Sequence, residues 1–296
     1  MPSLGAMLDT VTARVQAIMP DEARLKCEWL TSRILGCSRL ELPARKDQSL
    51  SELQVRQIEE GAARLATGEP LQYILGEAEF MGRVFICDRR ALIPRPETEQ
   101  LTAWMLEDVA LWQNKTPSFA QKATGDTPVI ADVGVGSGCI AISLALERPE
   151  SRYLATEISA VALELAQKNA ARHGVSARIR FIAGDLLSAG LTAFASLDAV
   201  VSNPPYVRTA DWTGLERCVR DFEPRTALDG GRDGLAVIRR LMPQSFQALK
   251  PSGALFLEIG DEQGNAVRDL ARAAGFRKIQ LRPDLAGKNR MVRAEK

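Results

Sequence analysis

The sequence predicts an α/β protein, a doubly wound and mostly parallel sheet preceded by a small helical domain. From Pro128 onward, short apolar stretches alternate with segments of helical periodicity at close intervals, the pattern of a parallel sheet with helices on both faces. Residues 1 to about 75 carry apolar residues at helical spacing, with few β-branched runs. The length, 296 residues, suits two domains at about 100 to 200 residues each.

In chain order, Leu4 to Met19, Asp21 to Leu35 and Ser51 to Ala66 read as helices. Asp21-Glu22 after Pro20 mark the second start, and Ser49 or Ser51 ahead of Glu52 the third. Tyr73 to Pro96 reads as a short β-hairpin leading into a loop, a linker over 76–96 between a helical domain at 1–75 and a larger domain at 97–296. Glu97 to Trp112 is helical again, and Gln113 to Thr127 a polar surface loop. Strands follow at Val129–Val133, Tyr153–Glu157, Ile179–Ala183, Leu197–Ser202, Ala254–Ile259, Lys278–Leu281 and Arg290–Ala294. Helices are expected over Cys139–Glu147, Ala160–His173, Leu235–Leu249 and Glu262–Ala274.

Composition removes several function classes. With 38 basic and 37 acidic residues the formal charge is +1, so no basic face advertises nucleic acid; only residues 268–296 lean basic, nine against three. The longest uncharged stretch, Val133 to Leu146, is 14 residues, short of the roughly 18 a membrane span needs. The first residues carry no secretory signal, and five scattered cysteines without a C-x-x-C pair fit a reducing cytoplasm. A single histidine, His173, precedes Gly174 at a helix end. This forbids a multi-histidine zinc site and disfavours a serine triad; no metal site is expected.

The chemistry is carried by four strand ends. Asp132-Val133-Gly134-Val135-Gly136-Ser137-Gly138 turns from the first strand into a helix, where glycines bring backbone N–H groups close to a ligand. The spacing is G-x-G-x-G, not the dinucleotide G-x-G-x-x-G. Asp132 nearby would repel a pyrophosphate and suits a cationic or zwitterionic ligand. Glu157, 21 residues after Gly136, is placed to accept from ribose hydroxyls, and Asp185, followed by Leu186, from an adenine amino group. The fourth strand runs into Asn203-Pro204-Pro205-Tyr206. Two prolines fix the direction of the Asn203 side chain and the Pro204 carbonyl, a rigid pair of acceptors for a planar amino group on which Tyr206 can stack.

With these motifs the catalytic half resembles a class I S-adenosylmethionine-dependent methyltransferase, and the ensemble resembles the HemK/PrmC family of peptide chain release factor N5-glutamine methyltransferases. The matching segments are Gln72-Tyr73-Ile74-Leu75-Gly76-Glu77 with Glu79-Phe80, Leu92-Ile93-Pro94-Arg95-Pro96-Glu97-Thr98-Glu99, the glycine loop and Asn203-Pro204-Pro205-Tyr206. Glu223-Pro224-Arg225 with Leu228-Asp229-Gly230-Gly231 and Leu257-Glu258-Ile259-Gly260 complete the set. Position 157 is Glu where the family often has Asp, and Leu186 stands where some members have an aromatic residue.

The resemblance implies a Rossmann-like, seven-stranded methyltransferase domain over 97–296. S-adenosylmethionine would be held by Asp132, Gly134, Val135, Gly136, Ser137, Gly138, Glu157, Asp185, Leu186 and Asn203, with Asn203, Pro204, Pro205 and Tyr206 as the catalytic clamp. It implies methyl transfer to the side-chain amide of the glutamine in the Gly-Gly-Gln motif of release factors. Arg95, Glu97 and Thr98 would line the methionine end of the cofactor or the loop over it, with residues 223–231 ordered around the substrate; the helical domain reads as a recognition or packing module and is the candidate for substrate recognition. A monomer in the cytoplasm is expected, with no membrane partner and no direct nucleic-acid substrate. The competing readings are a ribosomal-protein glutamine methyltransferase, an amino-methyltransferase of adenine or cytosine in DNA or RNA, and a dehydrogenase or non-catalytic nucleotide-binding module, against which the loop spacing argues.

Overall fold

A computed structural model describes residues 1–112, 127–188 and 196–296. They form two compact units, residues 1–77 with 216–222, and residues 78–215 with 223–296. The loop expected over 113–127 lies outside the described residues except at its last position.

The first unit is built on α1 (Leu4–Gln16), α2 (Ala23–Leu35), α3 (Glu52–Leu65) and the short α4 (Leu71–Leu75). The apolar faces of α1–α3 meet in one core around Leu4, Val11, Leu30, Ile58 and Leu65. Ser51 caps α3 in a reciprocal box with Gln54, so the start lies there and not at Ser49. Helix α1 stops at Gln16 instead of running to Met19, because the chain turns ahead of Pro20. Glu22 precedes α2 without a side-chain cap. Tyr73 and its neighbours are helical, not part of the hairpin, and Gly76 closes α4 in the left-handed region with φ 73°.

The hairpin strands β1 (Glu77–Phe80) and β2 (Arg83–Ile86), which belong to the second unit from Ala78 onward, do not form a free linker. Phe80 and Phe85 are fully buried in the core beneath α5 (Pro96–Glu107) and α7 (Cys139–Glu147). The helix predicted to Trp112 breaks at Asp108, whose carboxylate accepts from Leu111 N (3.1 Å) and restarts a short α6 (Val109–Trp112). His173 ends α8 (Ala160–Arg172) ahead of Gly174, and its ring packs on Phe85, 4.7 Å between centroids.

The sheet contains β3 (Val129–Val133), β4 (Arg152–Glu157), β5 (Ile179–Ala183), β6 (Leu197–Ser202), β7 (Leu249–Glu258), β8 (Arg277–Pro283) and β9 (Asn289–Glu295), in the order β5-β4-β3-β6-β7-β9-β8. The first five are parallel, and β9 alone is reversed, pairing antiparallel with both β7 and β8. Strand β7 starts five residues earlier than predicted because Leu249 pairs with Leu197 before a register shift. Helices α10 (Ala236–Ala248) and α11 (Gly264–Ala274) cover one apolar layer of the sheet, and α5, α7 and α8 the other. Because the order reverses at β3, the loops after β3 and β6 diverge and leave a crevice at the strand ends.

Asn169 on α8 ties the hairpin to this crevice. Its Nδ2 donates to Ile86 O (3.0 Å) and Ser137 O (2.9 Å), and its Oδ1 accepts from Ile86 N (2.7 Å). Asn169→Ala leaves three backbone groups short of a partner, and we expect a loss of about 2 to 4 kcal/mol in urea unfolding. A change below about 0.5 kcal/mol would mean that the hairpin is held by its phenylalanines alone.

Candidate active site

The crevice holds a cavity of about 660 Å³ whose lining includes the loop 134–137, Glu157, Asp185, Leu186 and Asn203. Gly134 (φ 74°), Gly136 (φ 54°) and Gly138 (φ 87°) are all left-handed, so only glycine carries the chain around this turn without strain. Gly138 also lacks room: an added Cβ would lie 2.8 Å from Ile142 Cδ1 and 3.3 Å from Ala166 Cα. Gly134 N and Val135 N both donate to Thr156 O, which folds the loop back onto the end of β4.

Of the three acids, Glu157 and Asp185 line the cavity. Glu157 accepts from Gly136 N and Ser159 N, both at 3.0 Å, one oxygen each, so its remaining lone pairs are what it offers a ligand. Asp185 is ion-paired with Arg240 of α10, a cavity residue that no motif marked. Leu186 beside it is left-handed with φ 56°, an uncommon state for a branched side chain and a sign of a constrained site.

Asp132 sits behind the loop. It is 1% exposed, its Oδ2 accepts from Ala141 N (3.0 Å) in the first turn of α7, and its Oδ1 is buried without a partner. Burial, with Glu157 adding to it, pushes this carboxyl up to about 7.

Asn203 leaves β6 and lines the cavity with Pro205, whereas Pro204 and Tyr206 stand outside the lining. Asn203 Nδ2 donates to Thr98 Oγ1 (3.0 Å), and Tyr206 OH donates to Glu258 Oε1 (3.1 Å). The segment after Tyr206 pairs with residues 228–230: Val207 N donates to Leu228 O and Gly230 N to Val207 O. At Gly230 an added Cβ would lie 2.8 Å from Pro205 O, so this stretch runs flush against the second proline. Glu223 is buried and accepts from Ile93 N (3.1 Å) and from Arg95, joining the 91–95 wall of the cavity to the 223–231 segment. Arg95 and Thr98 line the cavity, and Glu97 does not; Pro96 is the first residue of α5.

Among the described residues no cluster of three or more metal-ligating side chains occurs, and no helix is long and apolar enough to cross a membrane.

A glycine turn after the first parallel strand, acids at the next two strand ends and Asn-Pro-Pro-Tyr after the fourth meet at one edge of the sheet, in a chain of methyltransferase class. The comparisons agree with the class: residues 118–217 match the methyltransferase small domain, and residues 6–76 match the PrmC N-terminal domain. The chain belongs to the release factor glutamine methyltransferase family. It is 38% identical over 99% of its length to the release factor glutamine methyltransferase of Nitratidesulfovibrio vulgaris, of which it covers 95%. The same-named protein of Moorella thermoacetica is 41% identical over 97% of this chain and 96% of its own length. Among solved structures, the hMettl16 catalytic domain in complex with the MAT2A 3′UTR hairpin 6 superposes with a TM-score of 0.53 at 14% identity. The match covers 83% of this chain and 81% of that one, and shows the fold alone.

The orphaned Asp132 has a measurable consequence. Its folded pKa lies above the ordinary 3.8, so its contribution to stability is complete at low pH and is lost as pH rises through about 7. Asp132→Asn should therefore stabilise the ligand-free protein by about 1 to 3 kcal/mol at about pH 8, and by almost nothing at about pH 4. Equal effects of the substitution at both pH values in urea titrations would show that the carboxyl is not held protonated by burial.

Proposed function

We propose that this protein transfers the methyl group of S-adenosylmethionine to the side-chain amide nitrogen of the glutamine in the Gly-Gly-Gln motif of peptide chain release factors. The observation that carries the reading is Asn203 at the cavity wall, its amide nitrogen committed to Thr98 so that Oδ1 is its acceptor, in a chain akin along nearly its whole length to proteins of that name.

The residues present fit the cofactor. The partnerless Oδ1 of Asp132 is a buried acceptor behind the glycine loop, a feature that makes sense when a cationic or zwitterionic ligand supplies positive charge nearby. Glu157 and Asp185 would accept from ribose hydroxyls and the adenine amine, and Ile158 and Leu186, which also line the cavity, would supply apolar surface beside them. Bound there, the cofactor supplies an electrophilic methyl on a sulfonium, a good leaving group.

The protein's own task is to make an amide nitrogen attack. That nitrogen is a weak nucleophile because its lone pair is delocalised into the carbonyl. Asn203 Oδ1 and the Pro204 carbonyl accept its two N–H groups, aim it, and favour the positive charge that grows on it during transfer. No strong base is needed before attack: the departing thioether keeps the electron pair of the broken carbon–sulfur bond, and the nitrogen, once methylated, loses one N–H proton to water. The one histidine is spent on packing, its ring nitrogen 3.1 Å from Val84 O.

A Gly-Gly-Gln segment offers few side-chain contacts, so selection of one protein requires a second surface. The helical unit supplies a candidate in Leu25 and Trp29, one turn apart on α2 and 44% and 46% exposed.

The decisive assay offers labelled S-adenosylmethionine with release factor, ribosomal protein and DNA side by side; label in either of the latter two and none in release factor would refute the assignment. Asn203→Ala should lower turnover by roughly 100-fold with cofactor affinity within about threefold, and near wild-type turnover would remove the clamp. Leu25→Glu with Trp29→Glu should lower kcat/KM for intact release factor by roughly tenfold or more while leaving activity on a short Gly-Gly-Gln peptide unchanged. Equal losses on both substrates would assign the pair to folding instead.

A further inference from the structure

Two members of the proposed clamp lead to one side chain far from both in sequence, Tyr206 directly and Asn203 through Thr98. Glu258 is the last residue of β7, and the parallel pairing of Ser202 with Leu257 sets it beside the start of the clamp. Its Oε1 accepts from Tyr206 OH (3.1 Å) and its Oε2 from Thr98 Oγ1 (2.6 Å), while Thr98 Oγ1 accepts from Asn203 Nδ2 (3.0 Å). Glu258 is 1% exposed and Thr98 3%. Thr98 is itself fixed in the first turns of α5, where its carbonyl takes the Thr102 hydroxyl at 2.8 Å.

The arrangement has a direction. An ionised carboxylate only accepts, so Thr98 must give its single hydroxyl proton to Glu258 and has only lone pairs left for Asn203. Asn203 then has to turn its NH₂ toward Thr98 and keep its carbonyl oxygen for the cavity. A neutral Glu258 can donate to Thr98, which frees the threonine proton for Asn203 Oδ1. The amide then turns over and presents NH₂ to a substrate nitrogen that is itself a donor.

We propose that Glu258 is a positioning residue for methyl transfer: through the Thr98 hydroxyl its carboxylate sets the orientation of the Asn203 amide, so that an acceptor and not a donor meets the nitrogen to be methylated. The inference rests on the reading of Asn203 as the clamp. Burial, opposed by the hydrogen bonds from Thr98 and Tyr206, holds the Glu258 carboxyl up at about 7; Glu97 pushes the same way and Arg290 against it. The Tyr206 phenol and the Cys139 thiol near it stay neutral at that pH, because burial pushes the phenol up and the thiol to about 12.

The test uses the full-length protein and intact release factor. Glu258→Gln and Thr98→Val should each lower kcat by roughly 30-fold or more, with the KM for release factor and the affinity for S-adenosylhomocysteine within about threefold. Thr98→Ser, which keeps the hydroxyl, should restore at least about a third of the turnover lost in Thr98→Val. Added to Asn203→Ala, neither substitution should cost more than about a further threefold, because all three act on one contact. The wild-type kcat should rise with pH through an acid limb near 7 that is absent in Glu258→Gln. If Asn203→Ala retains turnover, the clamp reading itself fails. If Asn203→Ala collapses while Thr98→Val stays active, or if the losses multiply, the clamp stands and the role given to Glu258 is overturned. Should Glu258→Gln not fold, the Thr98→Val and Thr98→Ser pair decides alone.

Discussion

The parallel pairing of β3 with β4 on one side and β6 on the other fixes where chemistry is possible. Asp132 is opposite Ala155 in one neighbour and Val201 in the other, so the glycine loop, Glu157 and Asn203 all leave the sheet at one edge within a few residues of register. A slip of one strand would carry its chemical residue away from the other two. The buried layers of aliphatic side chains on both faces of the sheet hold that register, and the site inherits its precision from them.

Around that edge the protein buries charge that a purely structural sheet would avoid. Asp132 lacks a partner for one oxygen, and Glu258 keeps its carboxyl in a place where ionisation is opposed. Glu223, by contrast, is matched by Arg95 and the Ile93 amide and works as a tie between two walls of the cavity. Glu223 thus has a cationic partner within the fold, Glu258 has only neutral hydroxyl donors, and Asp132 keeps one oxygen open.

Much of this was legible in the chain. The alternation after Pro128 gave the strands, since each buried strand is a short apolar run bounded by a turn, and the glycine loop and Asn-Pro-Pro-Tyr carry their geometry in contiguous residues. The rest is tertiary. Thr98 meets Asn203 across 105 residues and Glu258 across 160, and Asn169 reaches the hairpin across 83, distances over which no spacing rule applies. Glu258 and Glu223 stood inside recognisable segments, yet their roles depend on which side chains the sheet and α5 bring beside them. The hairpin read as a linker because its two phenylalanines point into a core whose helices and strands all follow it in the chain.

The central claim is that the clamp delivers a methyl group to one amide nitrogen. It is tested most directly by tandem mass spectrometry of release factor after incubation with the protein and S-adenosylmethionine. The account predicts a single added methyl on the side-chain nitrogen of the Gly-Gly-Gln glutamine, absent when Asn203→Ala replaces the wild type. A methyl on any other residue, or an unchanged yield with Asn203→Ala, would contradict it.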